Sequence, residues 1–357
     1  MSTLRTRLHS VGTRDRIAIG LTIGAIFLLW LAPSQVSRYD RYLLTTLFLY
    51  VALAQAWNII GGIGGQFSLM HSAFVGGGAY TATMLLNKTG LPLLECVLLS
   101  GVVAAVMAAV AAVALLRLRG VYFAVGSLAV AVAVQIWMTT WNYTGATRGV
   151  SVPLGALPTP NGLYEEALAI AALAIAAAAI VKHSRFGLGL MSVRDDEDAA
   201  AGMGINGSAV KLAAFTLSAF LTGLAGAVIA LQQISIEPFS AFGLSWTISM
   251  IVMCIVGGLG TVTGPIVGAI VVYYGLQVQL QNYATLGTAI TGVVMIALVR
   301  FAPDGVIGLI RAGADHAIAW RHRSRTPPAT AIVSSSGEAT AAPAVAIKHE
   351  TGVIPKP

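Results

Sequence analysis

The chain has 357 residues, of which 57% are hydrophobic and only 10% are charged. A soluble domain carries about a quarter of its residues as charges to cover its surface, so this composition excludes a soluble globular protein. The net charge of +7 is attributed to basic loops on one side of a membrane rather than to a nucleic-acid partner. Cys96 and Cys254 lie in apolar segments without a neighbour at metal-ligand or redox spacing, so no metal site is expected.

Apolar runs fill most of the chain after a basic N-terminal segment, residues 1–16. About 20 apolar residues cross a bilayer as a helix, which gives about ten candidate spans, or eight or nine if the glycine-rich pieces only re-enter the membrane. The first is interpreted as an uncleaved helix, because no convincing small-x-small cleavage site follows it. The candidates are residues 17–32, 43–60, 73–86, 93–116, 121–137, 167–181, 212–231, 245–256, 265–280 and 287–299. The prediction is an all-α, polytopic membrane helix bundle over residues 17–323.

The distribution of Lys and Arg predicts that both termini face the cytoplasm. With the N-terminus inside, 15 basic residues fall on the inner side and 4 on the outer side, leaving aside two lysines of the tail. This asymmetry obeys the positive-inside rule, and the opposite orientation would reverse it. Residues 324–357 are rich in Ala, Pro, Ser and Thr without periodicity, and they are predicted to form a disordered cytoplasmic tail.

A glycine-rich stretch at residues 58–80 is the first departure from plain apolar helices. Glycine costs about 1 kcal/mol in a helix interior relative to alanine, so the cluster indicates a broken helix or very close backbone contact. A broken helix that lines a cavity would place the stretch on a solute pathway. The alternatives are tight helix packing through small residues and, for the histidine, a hydrogen-bonded structural role. The candidate pathway residues are Gly64, Gly65, Gln66, Ser68 and His71.

A second glycine-rich stretch, residues 255–269, interrupts another apolar run. Its proline suits the first turn of a new helix, and a Gly-Gly-x-Gly core shared with the first stretch suggests a weak internal repeat. Duplicated interrupted segments are typical of transporters with a central site. The candidate pathway residues here are Gly257, Gly258, Gly260, Gly264 and Pro265.

The loop 182–211, predicted to be cytoplasmic, carries four of the fourteen acidic residues in one run. Acidic residues before an alanine run favour the start of a helix through its dipole, and the following glycines favour its end. We therefore expect a short helix that a soluble partner could bind. The alternative is an ordinary solvent-exposed loop that only connects two spans. The candidate partner-binding residues are Arg194, Asp195, Asp196, Glu197, Asp198, Ala199, Ala200, Gly202 and Gly204.

The positions of the charges exclude several classes of membrane protein. No Asp, Glu, Lys or Arg lies near the middle of a predicted span, whereas ion-coupled transporters usually place an ionisable group there. The chain also lacks a Gly-x-x-x-x-Gly-Lys-Ser/Thr phosphate loop. No nucleophile–base pair or paired carboxylate occurs in a span. We therefore expect a transport subunit whose energy comes from a separate protein, and we do not expect an enzyme.

Several motifs, in the same order over residues 42–308, resemble the permease subunits of branched-chain amino acid ABC importers, particularly the larger of their two permeases. They are GGQFS at 64–68 with GAY at 78–80, LRLRGVYFA at 116–124, SRFG at 184–187, residues 194–206, KLAAF at 211–215, GGLG at 257–260 and PDG at 303–305.

The resemblance implies a multi-pass permease of the bacterial cytoplasmic (inner) membrane that imports leucine, isoleucine, valine or a similar small zwitterion by alternating access. It implies four kinds of partner: a second homologous permease, two cytoplasmic ATP-binding subunits, a periplasmic solute-binding protein and the small-molecule substrate. The chain itself needs no cofactor, because the partner subunits use the ATP. It also implies that residues 194–204 form a coupling helix. An importer of urea or short amides stays open, as does, from another class, an ion-coupled secondary transporter.

Overall fold

The computed structural model describes residues 37–279, apart from the side chain at position 276. The predicted N-terminal segment 1–16, the spans 17–32 and 287–299, the PDG motif at 303–305 and the tail 324–357 lie outside the described residues. Eight of the ten predicted spans fall within this part of the chain, although the last residue of the span 265–280 lies just outside it. Each of the eight coincides with a helix.

Helices make up almost all of the described chain. In order they are α1 (Arg38–Asn58), which continues as a π-helical turn (Ile59–Ile63), α2 (His71–Lys88), α3 (Leu93–Leu115), α4 (Val121–Thr140), α5 (Pro160–His183), α6 (Arg185–Asp195), α7 (Glu197–Gly202), α8 (Gly207–Gln233), α9 (Pro238–Ala241), α10 (Leu244–Gly257) and α11 (Gly264–Ala269), which continues as a π-helical segment (Ile270–Val278). Two short strands, β1 (Val150–Ser151) and β2 (Ser235–Ile236), pair antiparallel.

Six of these helical segments are long and apolar enough to cross a membrane. They are Arg38–Ile63, Leu93–Leu115, Val121–Thr140, Pro160–His183, Gly207–Gln233 and Pro238–Gly257, with Gly264–Gly275 as a shorter apolar helix. The count of ten spans and the cytoplasmic location of both termini therefore stay predictions.

The centre of the bundle is α8, which packs closely against α2 and α3 through small residues. A side-chain carbon at Gly223 would lie 2.5 Å from Ala104 Cβ and 2.7 Å from the Ser100 carbonyl of α3. On α2, a carbon at Gly78 would meet the Gly223 backbone. Small residues let membrane helices approach to backbone contact, so packing accounts for these glycines of α2 and α8.

The bundle has two distinct ends. At one end, which we call the ribbon end, β1 pairs with β2 and the side chain of Arg41 donates a hydrogen bond to Asn161. At the other, which we call the basic end, lie α6, α7 and the α3–α4 turn with Arg119. The basic end is the one that the charge distribution predicts to face the cytoplasm.

Candidate functional site

The first glycine-rich stretch does break a helix. The π-helical turn after α1 ends at Ile63, residues 64–70 are not helical, and α2 begins at His71. Gly65 has a φ angle of +66°, a conformation that costs other L-residues roughly 1–2 kcal/mol. The break follows from the glycines, as the sequence indicated.

The second glycine-rich stretch breaks the chain between α10 and α11. Gly258 and Gly260 have φ angles of +115° and +69°. The backbone N–H of Gly264 donates to Thr261 Oγ1 at 2.9 Å, and Pro265 lies in the first turn of α11. This turn chemistry starts the new helix where the proline predicts it.

The structure brings the two breaks together through one buried amide side chain. Asn58, fully buried at the end of α1, donates from Nδ2 to the Thr261 carbonyl at 2.9 Å. Its Oδ1 accepts from the Gly260 N–H, also at 2.9 Å. A side-chain carbon at Gly62 would lie 2.6 Å from the same Gly260 nitrogen. We call residues 58–65 and 257–264 together the glycine junction.

Arg194, near the end of α6, contacts the first half of the glycine junction and lies near the second. Its Nη1 lies 3.5 Å from the Gly62 carbonyl oxygen, and 3.9 Å from where a side-chain carbon of Gly260 would stand. Its Cγ occupies the space that a side chain at Gly65 would need, and the Arg194 Cβ lies 3.2 Å from that point. The guanidinium is also paired with Asp195 at 2.9 Å. The glycine junction therefore lies against α6, at the basic end.

Two of the other predicted pathway residues are fully buried and hydrogen-bonded. Ser68 is fully buried, and its carbonyl accepts a hydrogen bond from Trp57 Nε1 at 2.9 Å. His71 is fully buried with Nε2 2.7 Å from Ser218 Oγ of α8. These contacts are compatible with the packing alternative, and the pathway role of both residues stays a prediction. Gln66, by contrast, is partly exposed between the first break and α2.

The acidic run forms the helix start that was predicted. The side chain of Asp196 accepts hydrogen bonds from the backbone N–H groups of Asp198 and Ala199 at 3.0 and 2.9 Å, which caps α7. Gly204, with a φ angle of +83°, follows its end. The alanine at position 200 is buried, whereas Asp195, Asp196, Asp198, Ala199, Gly202 and Gly204 are exposed. The acidic helix α7 thus presents most of its surface outward.

A buried ion pair fastens α7 to α8. Lys211, whose side chain is only 2% exposed, lies 2.7 Å from the Glu197 carboxylate, which is 27% exposed. Arg119 from the α3–α4 turn adds contacts of 3.5 Å to Glu197 and 3.4 Å to Asp198, but its side chain is 65% exposed. Exposed pairs contribute little, whereas losing one partner of a buried pair is costly. Of these ion pairs, the one with Lys211 is therefore the strongest attachment of α7.

Three residues of this site were not singled out in the sequence. Asn58 and Gln55, fully buried on α1, both hydrogen-bond to the second break, Gln55 to the Val262 carbonyl. Lys211 was used only as an inner charge, as the end of the loop 182–211 and as the first residue of the KLAAF motif. Buried amides at the end of an apolar helix were the available signal, because such groups need partners in a membrane.

The known proteins that this chain resembles in sequence are branched-chain amino acid transport permeases. The family profile described as "branched-chain amino acid transport system / permease component" matches residues 41–299. The high-affinity branched-chain amino acid transport system permease protein LivM of Salmonella typhimurium is 25% identical over 309 residues, covering 78% of this chain and 72% of that protein. The LivM protein of Escherichia coli strain K12 matches with the same identity and coverage. No solved structure matches the chain significantly.

Proposed function

The chain belongs to the family of branched-chain amino acid transport permeases, and we propose that it is the membrane-spanning subunit of an ATP-driven importer for leucine, isoleucine, valine or a similar small zwitterion. As a permease of this family it is a multi-pass membrane protein and one subunit of a transporter complex. The position of Arg194, in contact with Gly62 and Gly65 and near Gly260, supports the proposal most directly. It links the surface available to a partner with the place where two spans are interrupted.

The partner-facing surface is α7 and its flanks. It combines exposed carboxylates with Met203, which is 69% exposed, and methionine is enriched at protein interfaces. We propose that the cleft of a cytoplasmic ATP-binding subunit holds α7. The full assembly would contain two such subunits, a second homologous permease and a periplasmic solute-binding protein.

The proposed transmission of force starts at α7. Because Lys211 and Glu197 hold α7 on the first turn of α8, a displacement of α7 by its partner also moves α8. Through the adjoining α6 it moves Arg194 relative to Gly62 and Gly65. Interrupted helices are the places where a membrane protein bends most readily, since fewer backbone hydrogen bonds must be broken. The glycine junction is thus proposed to open and close the basic end of the solute path in alternating access.

Uptake measurements test the energy source. Cells producing the chain with its partner subunits are expected to take up radiolabelled leucine when the proton gradient is collapsed, and to lose at least 90% of that uptake when ATP is depleted. Ion-coupled transporters usually place an ionisable group near the middle of a span, and the predicted spans carry none there. Cells lacking only this chain provide the control.

Two outcomes would contradict this proposal. Uptake that follows the proton gradient and ignores ATP would indicate an ion-coupled transporter. Uptake of urea or a short amide, with no competition from leucine, isoleucine or valine, would keep the ATP-driven importer but change its solute.

A further inference from the structure

A cavity of about 690 Å³ lies between α2, α3 and α4. Its lining is almost entirely apolar, and it shares no residue with the glycine junction. Its volume lies within the range of about 300–1,000 Å³ that is usual for small-molecule sites. The function proposed above does not use this cavity.

The cavity opens where the bundle meets the membrane. Val102, Val106 and Val110 of α3 line it, yet their side chains are 47%, 57% and 70% exposed. On a membrane-spanning helix, exposed valines face hydrocarbon chains, because no water is present at that depth. The occupant can therefore enter from the bilayer.

One buried polar group at the cavity makes no hydrogen bond within the described chain. The side chain of Tyr80 lines the cavity and is only 3% exposed, and its hydroxyl makes no hydrogen bond there. A buried hydroxyl without a partner costs about 1–3 kcal/mol. An occupant that carries a hydrogen-bond acceptor would remove this cost.

A basic and aromatic cluster marks the ribbon end of the cavity. Trp137 and Trp141 stack at 4.6 Å between ring centroids, Trp141 stacks on Tyr143 at 5.6 Å, and all three line the cavity. The Lys88 ammonium lies 3.2 Å from the centroid of the Tyr143 ring. Tryptophan, tyrosine and lysine are typical of the level of the lipid headgroups.

Tyr80 and Lys88 are placed on one stripe of α2. Residues 80, 84 and 88 are four apart and lie on the same helix face, and Met84 between them also lines the cavity. The helix rise places Tyr80 about 12 Å deeper than Lys88. The stripe thus offers a cation at the headgroup level, a hydroxyl below it and an apolar wall.

We propose that this cavity binds an acyl chain of a membrane phospholipid. The lipid phosphate would lie at Lys88, an ester carbonyl would accept a hydrogen bond from the Tyr80 hydroxyl, and the hydrocarbon would fill the space beside Val106. A zwitterionic amino acid fits poorly, because the apolar lining offers no counter-charge to its ammonium group, and an unpaired buried charge is costly. The site thus differs from the solute path in both chemistry and place.

Photolabelling of the transporter complex in mild detergent tests this. The probe is a phosphatidylglycerol with a diazirine in the middle of one acyl chain, and labelled peptides are identified by mass spectrometry. Val106→Trp fills the cavity and is expected to lower labelling of α2–α4 at least fivefold. Val113→Trp is the matched control: it lies on the same helix, 68% exposed, and does not line the cavity. Its labelling should equal that of the unaltered protein.

Two conservative variants locate the lipid along the stripe. Tyr80→Phe is expected to lower labelling about threefold. Lys88→Gln is expected to remove the preference for phosphatidylglycerol over a diazirine diacylglycerol, which lacks phosphate.

Equal labelling in Val106→Trp and Val113→Trp would mean general contact with surrounding lipid and would overturn the proposal. Labelling of the cavity by a diazirine analogue of leucine, or cross-linking to another polypeptide there, would overturn it as well.

Discussion

Gly65→Ala is expected to lower solute uptake by at least tenfold while the protein still inserts in the membrane. The added methyl group would occupy the position of Arg194 Cγ and lie only 3.2 Å from Arg194 Cβ, so the end of α6 must move away from the glycine junction. Alanine at a φ angle of +66° also costs roughly 1–2 kcal/mol. Radiolabelled leucine uptake, with the amount of membrane-inserted protein measured in parallel, gives the result.

Gly90→Ala separates backbone strain from the contact with Arg194. Gly90 has almost the same φ angle, +63°, but no atom lies within 4 Å of the carbon that would be added. The control variant therefore has the conformational cost of alanine at a positive φ angle without a steric clash. Its solute uptake should be within about twofold of that of the unaltered protein. If the two variants transport equally well, close contact between α6 and the glycine junction is not needed.

Glu197→Gln is expected to give the largest loss of stability at the basic end. It leaves the Lys211 ammonium, 2% exposed, without its carboxylate partner. Removing one partner of a buried ion pair costs about 3–5 kcal/mol. Thermal unfolding of the purified complex should show a clear decrease in Tm, and α7 should lose its attachment to α8.

Two further variants define the cause of that loss. Asp198→Asn removes a carboxylate that is 83% exposed and that, among residues 37–279, pairs only with the exposed Arg119, so the Tm of this variant should change little. The double variant Lys211→Met with Glu197→Gln removes the buried charge and should recover much of the stability. It should still transport poorly, because α7 is no longer tied to α8. A normal Tm for Glu197→Gln alone would show that the pair is not the attachment of α7.

The local features of the site could be predicted because they follow from short-range chemistry. Glycines broke two apolar helices, Pro265 began a helix, and the carboxylate of Asp196 capped α7. Several helices begin ahead of the predicted spans, at Arg38 for the span from residue 43 and at Gly207 for the span from residue 212. Another early start has a local reason. The span predicted from residue 167 begins instead at Pro160, because the Thr159 cap and the proline start the helix ahead of Glu165 and Glu166.

The arrangement of these pieces could not be predicted, because it depends on contacts between distant residues. Asn58 and Thr261 are about 200 positions apart, and no local pattern indicates that one amide joins the two breaks. The burial of Lys211 likewise depends on how α7 folds back on α8. The breaks were expected on a solute path through the bundle, and the structure adds that they lie beside Arg194 at the basic end. The pathway role of the glycines stays a prediction.

Arg194→Gln in reconstituted vesicles tests the central claim that α6 transmits movement of α7 to the glycine junction. Uptake of radiolabelled leucine and ATP hydrolysis are measured together on the complete transporter, with Arg185→Gln, an exposed arginine at the start of the same helix, as the control. We predict that Arg194→Gln keeps at least half of the ATP hydrolysis but loses about 90% of the uptake, whereas Arg185→Gln keeps both. Uptake by Arg194→Gln at the unaltered rate per ATP hydrolysed would contradict the claim.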